Sequence, residues 1–317
     1  LGFGEKRATL TEILKAESMA IDDDQIYITE GTSVYIYSLT DFKLKKKFGR
    51  PGEGPEEFLD SVTVTPQQDH LLINSMGKLS YFTKDGVFIK ELRTGAGLGS
   101  RDFVPIKNGF VGIGVVQEEN NLFYLTINFF DSNLKKGKEY YRVESSARRS
   151  GEIKLLRKTF EFCVHDNQLF VVGKDGFIID VLDHTGKWLY SISQEYKKRK
   201  FTSDDEKKIR NVLEIIWKEG YHVLKDRLVF PDYYPEIQHL YIDDNKIYVL
   251  TWKIENEKVE FFIFDINGKL LKRLFIPFVF QTPLLPYPYV IKNGKLYQVI
   301  ENEKTESWEF IVTDIKY

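Results

Sequence analysis

A short phrase, a polar turn followed by an alternating apolar strand, recurs six times along the chain. It appears as DDDQIYIT (22–29), QQDHLLIN (67–74), IKNGFVGI (106–113), HDNQLFVV (165–172), DDNKIYVL (243–250) and IKNGKLYQV (291–299). With Gln25, His70, Gly109, Gln168, Lys246 and Lys295 taken as equivalent, the copies lie 45, 39, 59, 78 and 49 residues apart. Such a repeat constrains the fold strongly, because one unit cannot bury both faces of its own small sheet and must stack on its neighbours. A second phrase, strand then turn then strand, follows five of the copies, at 34–48, 79–92, 125–140, 178–192 and 260–274. Within it, Asp85-Gly86 and Asn267-Gly268 are strong hairpin signals. Each unit therefore reads as four antiparallel strands, the content of a β-propeller blade. Ile26 and Ile28, like Ile247 and Val249, supply one packing face, and Tyr27 and Tyr248 the other.

Six copies predict a single all-β domain over residues 1–317, a closed six-bladed β-propeller. The sixth copy runs through WEFIVTDIKY (308–317) and lacks its fourth strand, while KRATLTEIL (6–14) precedes the first copy as a spare strand. The N-terminal strand is expected to complete the last blade, which removes two sheet edges. The 78-residue gap holds a helical insertion, 201–220, between blades 4 and 5. Ser203 and Glu206 suggest its capping box, Ile209, Val212, Leu213 and Ile216 its apolar stripe, and Gly220 its end.

Composition narrows the function classes. The chain has 45 Lys and Arg against 47 Asp and Glu, so no global basic field gathers nucleic acid, and no nucleic-acid partner is expected. No apolar run reaches the roughly 18 residues of a membrane-spanning helix. The lone cysteine, Cys163, excludes an internal disulfide and a multi-cysteine zinc site, and leaves the compartment open.

The segment FGRPGEGPEEF (48–58) joins the first blade to the second, with Gly49, Gly52 and Gly54 specifying tight turns. A weaker echo, GAGLGSRDF (95–103), falls at the next junction, and the 45-residue spacing of Phe58 and Phe103 predicts that both plug equivalent crevices between blades. Phe48, Gly49, Arg50, Gly52, Gly54, Pro55, Glu57 and Phe58 resemble a motif of the six-bladed β-propellers common among bacterial exported proteins and lipoproteins, related in architecture to NHL-repeat propellers. Members of that family usually carry Gly where this chain has Glu56. The resemblance implies export to the periplasm or cell surface; the N-terminus shows no signal-peptide pattern, so a signal is either absent or already removed, a lipid anchor stays compatible, and a cytoplasmic location stays open. The resemblance also implies a binding or scaffolding role.

Loops leading from one blade to the next gather at one face of a propeller. Arg50, Glu53, Glu56, Arg101, Asp102, Tyr233, Tyr234, His239, Tyr287 and Tyr289 are the candidate partner-binding residues there, with Arg148 and Arg149 beside them. Arginine and tyrosine combine contact area with directional donors and suit a protein, peptide or glycan. No cofactor or metal is expected, since the five histidines show no metal-ligand spacing. Glu53, Glu56 and Glu57 leave a hydrolytic, carbohydrate-active reading as the alternative. A third reading is an assembly subunit that docks through the helix or through the proline-rich strip PFVFQTPLLPYPYV (277–290).

Overall fold

The computed structural model describes residues 4–94, 101–118, 123–144, 151–156 and 159–316. Its fold is a six-bladed β-propeller built of six four-stranded antiparallel sheets. Blade 1 comprises strands 18–21, 25–30, 33–38 and 44–48, and blade 2 comprises 63–66, 70–75, 78–83 and 88–93. Blade 3 comprises 101–106, 109–117, 123–131 and 136–144, and blade 4 comprises 161–165, 168–172, 178–182 and 188–193. Blade 5 comprises 239–243, 246–255, 258–265 and 270–277. Blade 6 takes 289–292, 295–302 and 307–314 and is completed by the N-terminal strand Glu5–Leu10. The six equivalent residues of the repeat are in every case the first residue of a blade's second strand.

The chain divides into two compact units. One holds blades 6, 1 and 2 with part of blade 3, and the other holds the rest of blade 3, blades 4 and 5 and the insertion. Within the first, the blade 1 strand 18–21 lies beside the first strands of blades 2 and 6; within the second, the first strands of blades 4 and 5 are neighbours.

Alternation buries both faces of each blade. Ile26, Tyr27 and Ile28 are all at most 2% exposed, which an antiparallel sheet shows only when it is sandwiched. Phe58 and Phe103 are both fully buried. Phe58 packs among Val34, Ile36 and Phe48 of blade 1 and Val64, Leu71 and Phe82 of blade 2, and Phe103 among Leu72 and Leu79 of blade 2 and Phe110 and Phe130 of blade 3. Asn74 fixes Phe103 from blade 2: its amide accepts the Phe103 N–H at 2.8 Å and donates to the Phe103 carbonyl at 3.1 Å.

The turns between third and fourth strands share one construction. The leading residue, Ser38, Thr83, Asp131, Asp183 or Asp265, turns its side-chain oxygen back onto backbone N–H groups of its own turn. Near the end of the turn a residue takes positive φ: Gly86, Gly186 and Gly268, but Phe42 and Leu134 in blades 1 and 3. These glycines serve packing as well as conformation. A Cβ on Gly186 would stand 2.3 Å from the Tyr140 ring of the preceding blade, and one on Gly268 2.6 Å from Ile192. The same turns are latched by Lys46 to the Gly86 carbonyl (2.9 Å), Tyr140 to the His184 carbonyl (2.8 Å) and Tyr190 to the Ile266 carbonyl (3.1 Å). Phe42 and Leu134 use the left-handed position to project into the preceding blade, Phe42 at 5.3 Å from Phe310.

Three local expectations need correction. The N-terminal strand stops at Leu10 rather than residue 14; beyond it Glu30 captures the Leu14 and Lys15 N–H groups, which draws the chain away from the sheet. The helix α1, Ser203–Trp217, is capped by Thr202 and Asp205, one residue earlier than the Ser203–Glu206 pairing. Arg199 binds the same Asp205 carboxylate and selects that register. The helix ends at Lys218, φ 50°, and Gly220 lies inside a second helix, α2, Glu219–Leu224. That bend brings Tyr221 into a small core with Phe201, Ile209, Leu213, Leu228, Tyr234 and Trp252, while Ile216 is left 54% exposed.

Candidate functional site

Arg50, Glu53 and Glu56 fall together on the glycine loop between blades 1 and 2, and the loop is rigidly built. Residues 50–51 and 57–58 pair as a short parallel bridge. Glu57 organises the interior: one carboxylate oxygen accepts from the Gly54 N–H at 2.9 Å, and the other accepts from Arg50 Nε at 3.0 Å. The Gly54 hydrogen bond, then Arg50, hold the Glu57 carboxyl below the usual carboxylate range. From beneath, the buried Lys78 ammonium donates to the Gly54 carbonyl at 3.1 Å and to the Glu57 carbonyl, and pairs with Glu91 at 3.1 Å. Arg93 donates to the Glu53 carbonyl. Gly52, Glu53, Leu59, Met76, Lys78 and Arg93 line a shallow cleft of about 330 Å³ including its open mouth. The Arg50 side chain is 71% exposed at the top of this frame.

Glu56 has φ 62°, in the left-handed region that favours glycine, at the position where the resembling family carries Gly. Asp102, φ 57°, is half-buried at the start of blade 3 beside Arg101. The glycine echo 95–100 and Arg148 and Arg149 lie outside the described residues.

The other candidates belong to other elements. Tyr287 is buried edge-on against Trp308, 5.8 Å between centroids, and Tyr289 opens the first strand of blade 6, half-buried. In the second unit Tyr234 is 2% exposed inside the insertion's core. It is stacked on Trp252 at 4.9 Å, under the Arg199 guanidinium at 4.4 Å, and burial pushes its hydroxyl up to about 12. Tyr233 beside it is 50% exposed. His239 stands in the first strand of blade 5, its Nδ1 2.5 Å from Glu161 of blade 4. Burial depresses the His239 pKa, but the charge of Glu161 and its hydrogen bond outweigh that effect and the net direction is upward. The other Glu161 oxygen accepts the Leu240 N–H at 2.9 Å, and Cys163 donates to the Leu240 carbonyl at 3.3 Å. Burial pushes the Cys163 thiol up to about 12, so it is protonated and a poor nucleophile at neutral pH.

Reading the loops alone misses Lys78, Arg93 and Glu161, which act from strands. A signal for Lys78 exists, since at period two it shares a sheet face with Ser80 and the core residue Phe82. The proline-rich strip turns mostly inward, with Phe278 near Phe261 and Phe280 and Leu284 against the insertion's core, while Leu285 is 53% exposed. Among the described residues no group of three His, Cys, Asp or Glu converges as a metal site, and no helix is long and apolar enough to cross a membrane.

No family model matches the chain, and no curated protein does. Among solved structures it is similar to the β-propeller domain of Myceliophteria thermophila Cps50 (Swd1), at 10% identity over 93% of this chain and 95% of that one, with a TM-score of 0.42. A member of the DUF4221 family from Bacteroides vulgatus is 10% identical over 98% and 96%, TM-score 0.48. The WD40 domain of Neurospora crassa Pan2 is 9% identical over 95% and 90%, TM-score 0.47.

Proposed function

We propose that the chain is a non-enzymatic binding or scaffold module, exported to the periplasm or cell surface, that engages a protein, peptide or glycan through the loops between blades. The observation that carries this reading is Arg50: a largely exposed guanidinium held in place by Glu57, on a loop braced by Lys78 and Arg93. A donor already fixed before contact loses little side-chain entropy on binding. In the hydrolytic alternative Glu57 does not suit the general-acid role, which needs a raised pKa, because its carboxyl is displaced downward. The test is a thermal-shift and calorimetric screen of acidic peptides and uronic-acid oligosaccharides against wild type, Arg50→Ala and Tyr233→Ala. A ligand that binds wild type and loses about tenfold or more in affinity to Arg50→Ala supports the reading. Turnover of any oligosaccharide, or binding indifferent to both variants, overturns it.

A further inference from the structure

The cleft beside the glycine loop carries polar groups that its own frame does not use. Ser75 lines it and is only 6% exposed, and its hydroxyl has no hydrogen-bond partner among the described residues. A buried hydroxyl is ordinarily paired, so the partner of this one is water or a ligand in the cleft. Arg93, also in the lining, gives Nε to Glu91 at 2.9 Å and one terminal nitrogen to Glu91 and the Glu53 carbonyl. Its other terminal nitrogen has no partner among the described residues, and the side chain is half exposed. Leu59 and Met76 line the same cleft and are exposed. Glu53 lines it too, with an exposed carboxylate in no ion pair among the described residues.

These unused groups select the occupant by chemistry. A guanidinium nitrogen and a hydroxyl both donate, and together they suit a carboxylate. Leu59 and Met76 suit an apolar side chain beside it, with the flexible thioether adapting to its shape. Glu53 accepts from an N–H and opposes a second negative charge. A peptide that ends in an apolar residue brings all three: an α-carboxylate, an apolar side chain and a backbone N–H. A uronic-acid chain or a run of acidic residues brings several carboxylates and no apolar group. We propose that the cleft takes the C-terminal residue of a peptide, its α-carboxylate on Arg93 and Ser75 and its apolar side chain against Leu59 and Met76. This inference rests on the peptide-binding reading above and narrows it to a free, apolar C-terminus. At about 330 Å³ including its open mouth the cleft is small among ligand sites, so the last residue supplies most of the contact.

Calorimetry on the full chain is the experiment, with three probes: acetyl-Gly-Ser-Gly-Leu, its C-terminal amide, and acetyl-Gly-Ser-Gly-Ser. The free-acid leucine peptide is expected to bind, and each of the other two to bind about tenfold or more weakly. Ser75→Ala and Arg93→Gln should each lose the preference for acid over amide. Leu59→Ser with Met76→Ser should lose the preference for leucine over serine at an unchanged thermal midpoint. Both of those side chains are exposed, so this variant keeps its fold even where Arg93→Gln loosens the loop. Arg50→Ala should weaken the leucine peptide about tenfold through the loop it holds, with both preferences intact. The inference is overturned by a free-acid peptide that does not bind, by binding indifferent to the amide or to serine, or by preferences that survive these cleft variants. An Arg50-dependent acidic ligand found alongside any of those results leaves the wider reading standing. Conversely, a leucine peptide that shows both preferences yet ignores Arg50→Ala and Tyr233→Ala overturns the wider reading and not the cleft.

Discussion

Single residues carry two kinds of information here, backbone freedom and buried charge. Glu56 pays a left-handed conformation for no evident contact of its side chain, which is exposed. Glu56→Gly is therefore expected to raise stability by about 0.5–1 kcal/mol, the left-handed strain relieved less the entropy glycine adds to the unfolded chain, as read from urea denaturation midpoints. Gly186 is the opposite case, with φ 77° and the Tyr140 ring where a Cβ would stand. Gly186→Ala should cost about 2–4 kcal/mol by the same measurement, strain and overpacking together. Lys78 holds two loop carbonyls and Glu91 from inside the protein. Lys78→Met should destabilise by about 3 kcal/mol and open the 49–58 loop to limited proteolysis, because it strands buried acceptors and a carboxylate. The glycine loop and the burial of Lys78 were readable in the sequence, but not that Lys78 braces this loop. Loop composition announces a turn, whereas the partner of a buried lysine is set by which strand lies beneath.

At the scale of elements, local chemistry and tertiary contact share the decisions. The repeated turns are locally encoded: a side-chain oxygen at the first position and a left-handed residue near the last satisfy the backbone without outside help. The helix α1 shows where local rules stop. Ser203-x-x-Glu206 is the cap expected from sequence, but Thr202 and Asp205 form it, with Arg199, held over Tyr234, bound to the Asp205 carboxylate. Thr202→Ala should lower the stability of the insertion by about 1 kcal/mol, visible as faster amide exchange over 203–209 with little change in the blades. Ile216 fits the helical stripe by spacing yet is exposed, because the bend at Lys218 turns Tyr221 inward in its place.

At the scale of the molecule, buried apolar clusters and polar contacts join neighbouring blades, and one of those contacts titrates. The folded pKa of His239 lies above the ordinary 6.5 through Glu161. The pair between blades 4 and 5 therefore stabilises the fold fully below about pH 6.5 and loses that contribution as pH rises through the raised folded value. Denaturation midpoints of wild type and Glu161→Gln should differ most in mildly acidic solution and converge at alkaline pH. A separation that grew with pH would contradict the assignment. Repeat number, strand order, the completion of blade 6 by the N-terminus and the two junction phenylalanines were all set by the sequence alone, because they follow from periodicity and from the need of each blade to cover two faces. Which loop residues stay exposed was decided only by the tertiary structure. Tyr233 and Tyr234 are chemically alike neighbours, yet one is half exposed and the other lies between Arg199 and Trp252. Exposure in a loop depends on what a distant segment lays over it, and no local pattern in the chain carries that information.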